Sequence, residues 1–151
     1  MVKQQANGSS GTWPAWIAPL EHTADTGILV KAPTLKQLFE RAAWGLFATI
    51  CAMETVRPRK RFSISVAAPD REALLVRWLS ELNFLHQTRG MLLCRFEVTR
   101  LTTQQLDARV WGEVISRARH RVTTEIKAVT YHNLRIERQG RSWVASVLFD
   151  I

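Results

Sequence analysis

The sequence predicts an α+β fold: a single domain in which two helices pack on one face of a largely antiparallel β-sheet. Two observations predict it. Two stretches carry apolar residues at helical spacing, whereas much of the remaining chain alternates apolar and polar residues with the period of a strand. The predicted order of strand, helix, strand and helix, followed by several strands, is typical of helices gathered on one face of an antiparallel sheet.

Length and composition favour one globular domain. The chain has 151 residues, and its hydrophobic fraction of 46% excludes wholesale disorder. No segment reaches the roughly 20 apolar residues of a membrane span, and the N-terminus lacks the apolar core of a signal peptide. We therefore expect a soluble, cytoplasmic protein with no membrane partner, in which residues 1–17 form a flexible leader and residues 18–151 form the domain.

Both helices have recognisable boundaries. Thr34 and Gln37 fit a capping box, and the apolar stripe that follows predicts a helix that ends near Met53. Asp70 is a suitable N-cap for the second helix, and Gly90 is a suitable residue just past its end.

The strands are predicted from alternation. Phe62, Ile64 and Val66 alternate with polar residues, as in a half-buried strand. The second half of the chain is mostly strand, with a polar, basic loop between its early and late strands and a hairpin turn at residues 139–141. The candidate strands of this half are residues 91–99, 106–111, 125–131, 133–138 and 143–151, and the loop is residues 112–124.

The first segment that could carry chemistry is the polar turn of residues 21–27, which contains His22 and Asp25. For an isolated motif of this kind we favour a structural interpretation, in which Asp25 bonds the nearby backbone in an Asx turn.

The second segment is the C-terminal end of the last strand. Strand alternation places Asp150 on the face opposite Phe149 and Ile151. The terminal carboxylate of Ile151 adds an anion one residue from the Asp150 side chain, and adjacent carboxylates repel unless a cation neutralises them. Hard divalent cations take such oxygen ligands. The alternative is a frayed, solvated terminus, but an apolar strand that runs to the last residue predicts a buried or paired Ile151.

The third segment, residues 125–132, contains Lys127, which could place an ammonium near a phosphate or simply occupy the solvent face. Spacing alone favours the solvent face. The histidines at 86, 120 and 132 have no metal-ligand spacing, so we expect surface or loop positions for them. The chain has neither a Gly-rich phosphate loop nor a Gly-x-Ser-x-Gly elbow, which argues against a self-contained enzyme.

The net charge of +8 favours anionic partners. Basic residues concentrate in residues 57–61 and 117–121. A basic face with interleaved aromatic residues would be a sharper sign of nucleic-acid binding, but the order of residues along the chain does not show one.

Taken together, these segments resemble the archease family. The blocks that carry the resemblance occur in order and extend over residues 18–151, and the His-Thr-Ala-Asp, Lys-Ala-Val-Thr-Tyr-His and terminal Asp-Ile motifs are the most distinctive. The blocks are residues 21–27, 35–43, 70–82, 112–113, 125–132 and 149–151. The Arg-rich stretch of residues 116–121 departs from the family pattern.

The resemblance implies a protein cofactor rather than an enzyme. Archeases activate the RtcB-type RNA ligase, which joins RNA ends bearing a 2′,3′-cyclic phosphate or 3′-phosphate to 5′-hydroxyl ends in tRNA splicing and RNA repair. They promote guanylylation of the ligase and its multiple turnover. Any contact of this protein with RNA would then be indirect, through the ligase.

The resemblance also implies a divalent-metal site, reported with calcium, and Mg²⁺ or Mn²⁺ would suit the same oxygen ligands. By position the ligands are Asp25, Asp150 and Ile151. His22 and Lys127 rank second, His22 as a group that orients Asp25 and Lys127 as a contact to the partner or a phosphate. We therefore expect the early turn and the C-terminal pair to meet in space.

Two other functions stay open. A basic chaperone-like or RNA-binding module with a purely structural metal would bind RNA in a salt-sensitive way without the ligase. A metal-dependent hydrolase would need an open coordination position and a general base, for which His22 is the sole candidate.

Overall fold

The computed structural model describes residues 12–21 and 25–151. Within these residues the chain forms seven strands, two α-helices and one short 3₁₀ helix. In chain order they are β1 (Ile17–Glu21), β2 (Asp25–Ala32), α1 (Leu35–Ile50), the 3₁₀ helix (Met53–Thr55), β3 (Lys60–Ala67), α2 (Arg71–Arg89), β4 (Met91–Leu101), β5 (Gln105–Val114), β6 (Ala128–Gln139) and β7 (Ser142–Asp150).

The strands form two antiparallel sheets rather than one continuous sheet. Sheet A has the order β1-β2-β7-β6, and sheet B has the order β3-β5-β4. Helix α1 packs against β2 of sheet A and β4 of sheet B, while α2 packs mainly against β6. One continuous cluster of buried apolar side chains joins the helices to the inner faces of both sheets. The predicted α+β class with two helices is confirmed.

Local signals set the starts of both helices and the end of α2 where the sequence predicts them, whereas α1 ends at Ile50, three residues before the expected end near Met53. The Thr34 hydroxyl accepts a hydrogen bond from the Gln37 amide at 3.2 Å, and the Asp70 carboxylate accepts one from the Ala73 amide at 2.8 Å. Gly90 ends α2 with φ of 64°, a left-handed conformation that costs glycine little. Inside the core, the Trp78 indole donates to the Phe39 carbonyl at 2.9 Å and so ties the two helices together.

The strand boundaries differ from the predictions in several places; β4, for example, extends to Leu101 rather than to Thr99. β1 pairs with β2 along its whole length although no strand was predicted there. β5 extends to Val114, so the basic loop begins three residues later than expected. The strands predicted at residues 125–131 and 133–138 are one strand, β6, whose pairing with β7 is interrupted by a bulge between Thr130 and Arg135. Within the bulge, Asn133 adopts a positive φ of 55°.

The predicted leader of residues 1–17 falls largely outside the described residues, but its last part is packed. Trp13 and Trp16 both make edge-to-face contacts with Trp44 of α1, at centroid distances of 6.3 and 5.3 Å. Ile17 begins β1 and is buried. The packed part of the chain therefore reaches at least to Trp13.

Neither of the two α-helices in the described residues is long and apolar enough to cross a membrane.

Candidate functional site

Asp25 and Asp150, which are far apart in the sequence, lie directly opposite each other. Asp25 is the first residue of β2 and Asp150 the last residue of β7, and they are paired partners in the antiparallel ladder. Side chains of directly opposite residues project from the same face of a sheet, with Cβ atoms about 4.5–5.5 Å apart. The two carboxylates therefore share one small region on the outer face of sheet A, where β2 begins and β7 ends.

Local packing fixes this register. The Thr26 hydroxyl of β2 donates to the Leu20 carbonyl of β1 at 3.3 Å and so ties the start of β2 to the end of β1. Gly27, two residues after Asp25, lets β7 approach closely, because a Cβ atom there would lie 2.3 Å from the Val147 carbonyl oxygen and 2.7 Å from Leu148 Cδ2. Gly27 thus allows β2 and β7 to pair closely, and this pairing places the two aspartates opposite each other.

A third strand meets the site from the other side of β7. Ala128, the first residue of β6, is the paired partner of Asp150, and the Lys127 amide donates to the Asp150 carbonyl at 2.7 Å. The Lys127 side chain is exposed, as its position on the solvent face predicts. Lys127 thus contacts the site through its backbone hydrogen bond to Asp150, while its side chain faces solvent.

The site is open to solvent. Asp25 is half-buried, Asp150 is exposed, and the Ile151 side chain is 43% exposed. The prediction that Ile151 would be buried or paired is wrong, because the ladder of β7 ends at Asp150. His22 lies outside the described residues.

The oxygen atoms of this region suit a hard cation. Like charges directly opposite on a sheet repel, and a divalent cation between them removes the repulsion. Carboxylate and main-chain oxygens are the ligands that Ca²⁺ and Mg²⁺ prefer. In the described residues no group of three or more His, Cys, Asp or Glu side chains forms a metal site. The predicted site would not form such a group, because only two of its ligands, Asp25 and Asp150, are side chains and the third is the main chain of Ile151.

A second carboxylate, which the sequence analysis did not single out, anchors the basic loop. Glu113 of β5 has a 5% exposed side chain and receives two hydrogen bonds from the Arg119 guanidinium, at 2.7 and 3.1 Å. It also accepts from the Arg57 amide at 2.9 Å, and Arg59 Nε lies 3.4 Å away. The Arg119 hydrogen bonds outweigh burial and, with the Arg57 amide, lower the pKa of Glu113 to about 2.

His120 completes this cluster. It lies in the loop, as predicted, but only 6% of it is exposed. The Ser116 amide donates to its Nδ1 at 2.8 Å, which assigns the proton to Nε2, near Glu113 and the Thr55 carbonyl at 3.0 and 3.1 Å. No local signal in the sequence marked this cluster, because Glu113 is one of several glutamates between the two basic segments and meets Arg57 and Arg59 only through the fold. The cluster can anchor the loop, but Glu113 is a poor candidate for a metal ligand because Arg119 already neutralises its charge.

Comparison with known proteins identifies the family. The family model of the archease protein family (MTH1598/TM1083) matches residues 18–151. The protein archease of Methanopyrus kandleri is 38% identical over 135 residues, which cover 87% of this chain and 96% of that protein. The protein archease of Thermococcus gammatolerans is 38% identical over 136 residues, with 87% and 95% coverage. The chain belongs to the archease family.

Solved structures agree with the archease fold. The solution structure of protein 1598 from Methanobacterium thermoautotrophicum superposes with a TM-score of 0.79 at 29% identity, covering 90% of this chain and 99% of that one. The crystal structure of an archease from Thermotoga maritima, described as a possible chaperone, gives a TM-score of 0.61 with 87% and 94% coverage. At 21% identity this second likeness shows the fold alone. The family resemblance drawn from the sequence is confirmed.

Proposed function

We propose that this chain activates an RtcB-type RNA ligase by presenting a divalent cation bound by Asp25, Asp150 and Ile151. The activation consists of promoting guanylylation of the ligase and its multiple turnover, in tRNA splicing and RNA repair. The observation that carries the proposal is the pairing of Asp25 with Asp150 across β2 and β7. Membership of the archease family supports it.

The chemistry of guanylylation explains why a cation would help. Transfer of a nucleotidyl group is mostly a matter of positioning and of neutralising charge on the phosphates, which bound metal ions do. A cation held by two side chains at the solvent-accessible ends of two strands keeps coordination positions for water or for phosphate oxygens. The chain would thus supply or position a charge at the ligase's nucleotide site. It would not be an enzyme itself.

Ca²⁺ is the cation that we propose first, because it accepts irregular sets of six to eight oxygen ligands, including main-chain carbonyls. Mg²⁺ and Mn²⁺ are the alternatives. His22 would orient Asp25, and Lys127 would contact the ligase or a phosphate next to the cation. Lys127 has the right position, because its backbone is bonded to Asp150 while its side chain is exposed. We place this activity in the cytoplasm.

The test is guanylylation of the cognate ligase, followed with labelled GTP in the presence of each variant. Asp25→Asn and Asp150→Asn keep the size of the side chain but remove its charge, so each should lose most of the stimulation while circular dichroism stays unchanged. Glu137→Gln is the matched control, because Glu137 is an exposed carboxylate on β6 of the same sheet. Normal stimulation by both Asn variants would reject the proposal.

A further inference from the structure

Sheet B has a face that no helix covers in the described part of the chain. Its inner face carries the buried side chains of strands β3, β4 and β5, including Ile64, Val98 and Val110. Its outer face is open to solvent and strongly polar. The exposed residues of this outer face include Arg61, Ser63 and Ser65 of β3, Arg95 and Glu97 of β4, and Arg109 of β5.

Trp111 occupies one end of this outer face between two arginines. It is the paired partner of Arg61 on β3 and of Arg95 on β4, so the three side chains project from the same face. The Arg95 guanidinium lies 4.5 Å from the Trp111 ring centroid, which is a cation–π contact. The Trp111 ring, with the Arg95 guanidinium against it and Arg61 opposite it in the ladder, offers planar groups on which a nucleic-acid base can stack.

The same end of the sheet collects the basic segments that are separate in the sequence. Glu113, two residues after Trp111, binds Arg59 of the first segment and Arg119 of the second. The Arg119 guanidinium also donates to the Thr55 carbonyl at 3.3 Å, which fixes the loop beside the segment that leads into β3. Both segments therefore border the Trp111 platform.

Most of the cations at this end are available to a ligand. Arg59 and Arg119 bind Glu113, whereas the others form no ion pair with any described residue. All of these others are exposed: Arg57, Lys60, Arg61, Arg95, Arg117 and Arg121. This excess of positive charge complements a phosphate backbone.

An open groove continues from the platform along the outer face. It has a volume of about 450 Å³ and is lined by Ser63, Ser65, Thr99, Asp107 and Arg109, among others. The Ser65 hydroxyl donates to the Asp107 carboxylate at 2.7 Å, and Arg109 is held by Glu97 at 3.2 Å. Hydroxyl, carboxylate and guanidinium groups can bond the 2′-hydroxyls and base edges of RNA.

We propose that the outer face of sheet B binds single-stranded RNA, with one base stacked at Trp111, Arg61 and Arg95 and with phosphates along the basic segments. A single strand suits this surface because its bases are free to turn outward and stack on side chains, whereas a duplex stacks its bases internally. An acidic protein would also complement the positive charge of this surface, but it would make no use of the stacking surface at Trp111. The surface is separate from Asp25 and Asp150, which lie on sheet A.

The test uses the full chain without any ligase, so that its outcome is independent of the activator role. Binding of a fluorescein-labelled 12-nucleotide RNA is followed by fluorescence anisotropy between 50 and 200 mM KCl. For about four phosphate contacts the affinity should fall roughly 50-fold over this range. Absence of binding at 50 mM KCl overturns the proposal, and so does equal affinity for a duplex of the same sequence.

Variants then locate the site. Arg61→Ala and Arg95→Ala should each weaken binding several-fold, and the double variant more. Arg141→Ala, which removes an exposed charge in the turn between β6 and β7, should have little effect. Trp111→Leu should weaken binding about ten-fold while Trp111→Phe retains most of it, since stacking needs a ring. If Trp111→Leu fails to fold, the arginine variants decide, and equal losses in Arg141→Ala and Arg61→Ala overturn the proposal.

Discussion

Removal of one aspartate from the pair should change thermal stability in opposite directions with and without a divalent cation. In the presence of EDTA, Asp25 and Asp150 are like charges directly opposite each other, an arrangement that destabilises a sheet by about 0.2–1 kcal/mol. Asp25→Asn removes the repulsion but keeps the size of the side chain. We expect its melting temperature in EDTA to equal or exceed that of the unchanged protein, by about 4 °C at most.

Added cation should reverse the order. A ligand that binds only the folded state at 100 times its dissociation constant contributes about 2.7 kcal/mol to the free energy of unfolding. For a protein of this length each kcal/mol raises the melting temperature by about 2–4 °C, so the unchanged protein should gain roughly 8 °C. Asp25→Asn and Asp150→Asn should gain much less, because each has lost one charged ligand.

The assay is thermal unfolding followed by circular dichroism, in EDTA and in a series of CaCl₂, MgCl₂ and MnCl₂ concentrations. Glu137→Gln is the control and should shift like the unchanged protein. The ratio of the shifts among the three salts ranks the cations. A cation-induced shift that is identical in both Asn variants and in the unchanged protein would refute the assignment of the ligands, and no shift with any of the three would refute the site.

Two further predictions concern the supports of the sites. Glu113→Gln should destabilise the protein by about 2 kcal/mol at pH 7, because a charged acceptor with several donors is lost. The pKa of Glu113 is lowered to about 2 from 4.5, so the stability that its ionised form contributes is complete above pH 4.5 and is lost as the pH falls toward 2. In urea unfolding, the difference in free energy of unfolding between Glu113→Gln and the unchanged protein should therefore be smaller at pH 3 than at pH 7. Gly27→Ala should cost about 1–3 kcal/mol through collision with β7 and should reduce the Ca²⁺-induced shift, whereas an unchanged melting temperature would contradict the close approach.

Local signals in the sequence were sufficient for the helices. The caps at Thr34, Asp70 and Gly90 each depend on residues within one turn, so short-range chemistry determines them. Strand pairing is different, because partners are chosen by tertiary contacts. The division into two sheets and the pairing of β1, which contains Pro19, therefore had no local signal.

The candidate site shows the same limit. Asp150 was singled out by its place at the end of an apolar strand, but alternation alone could not give it Asp25 as a partner from the other end of the chain. That pairing came from the family resemblance. Likewise, a cationic platform made from β3, β4 and β5 is invisible in the order of residues, because Arg61, Arg95 and Trp111 become neighbours only through the register of sheet B.

A comparison of Glu113 with the Asp25–Asp150 pair shows why an external cation is expected at the aspartates. Glu113 is neutralised by the chain itself, through Arg119 and Arg59. Asp25 and Asp150 form no ion pair with any described residue, although the chain has 21 lysines and arginines against 13 acidic residues. Because none of these basic side chains pairs with the two opposed aspartates, their carboxylates stay available as ligands for a divalent cation. An arginine introduced beside the pair, for example by Ala128→Arg at the position paired with Asp150, should therefore compete with Ca²⁺ and reduce the cation-induced rise in melting temperature.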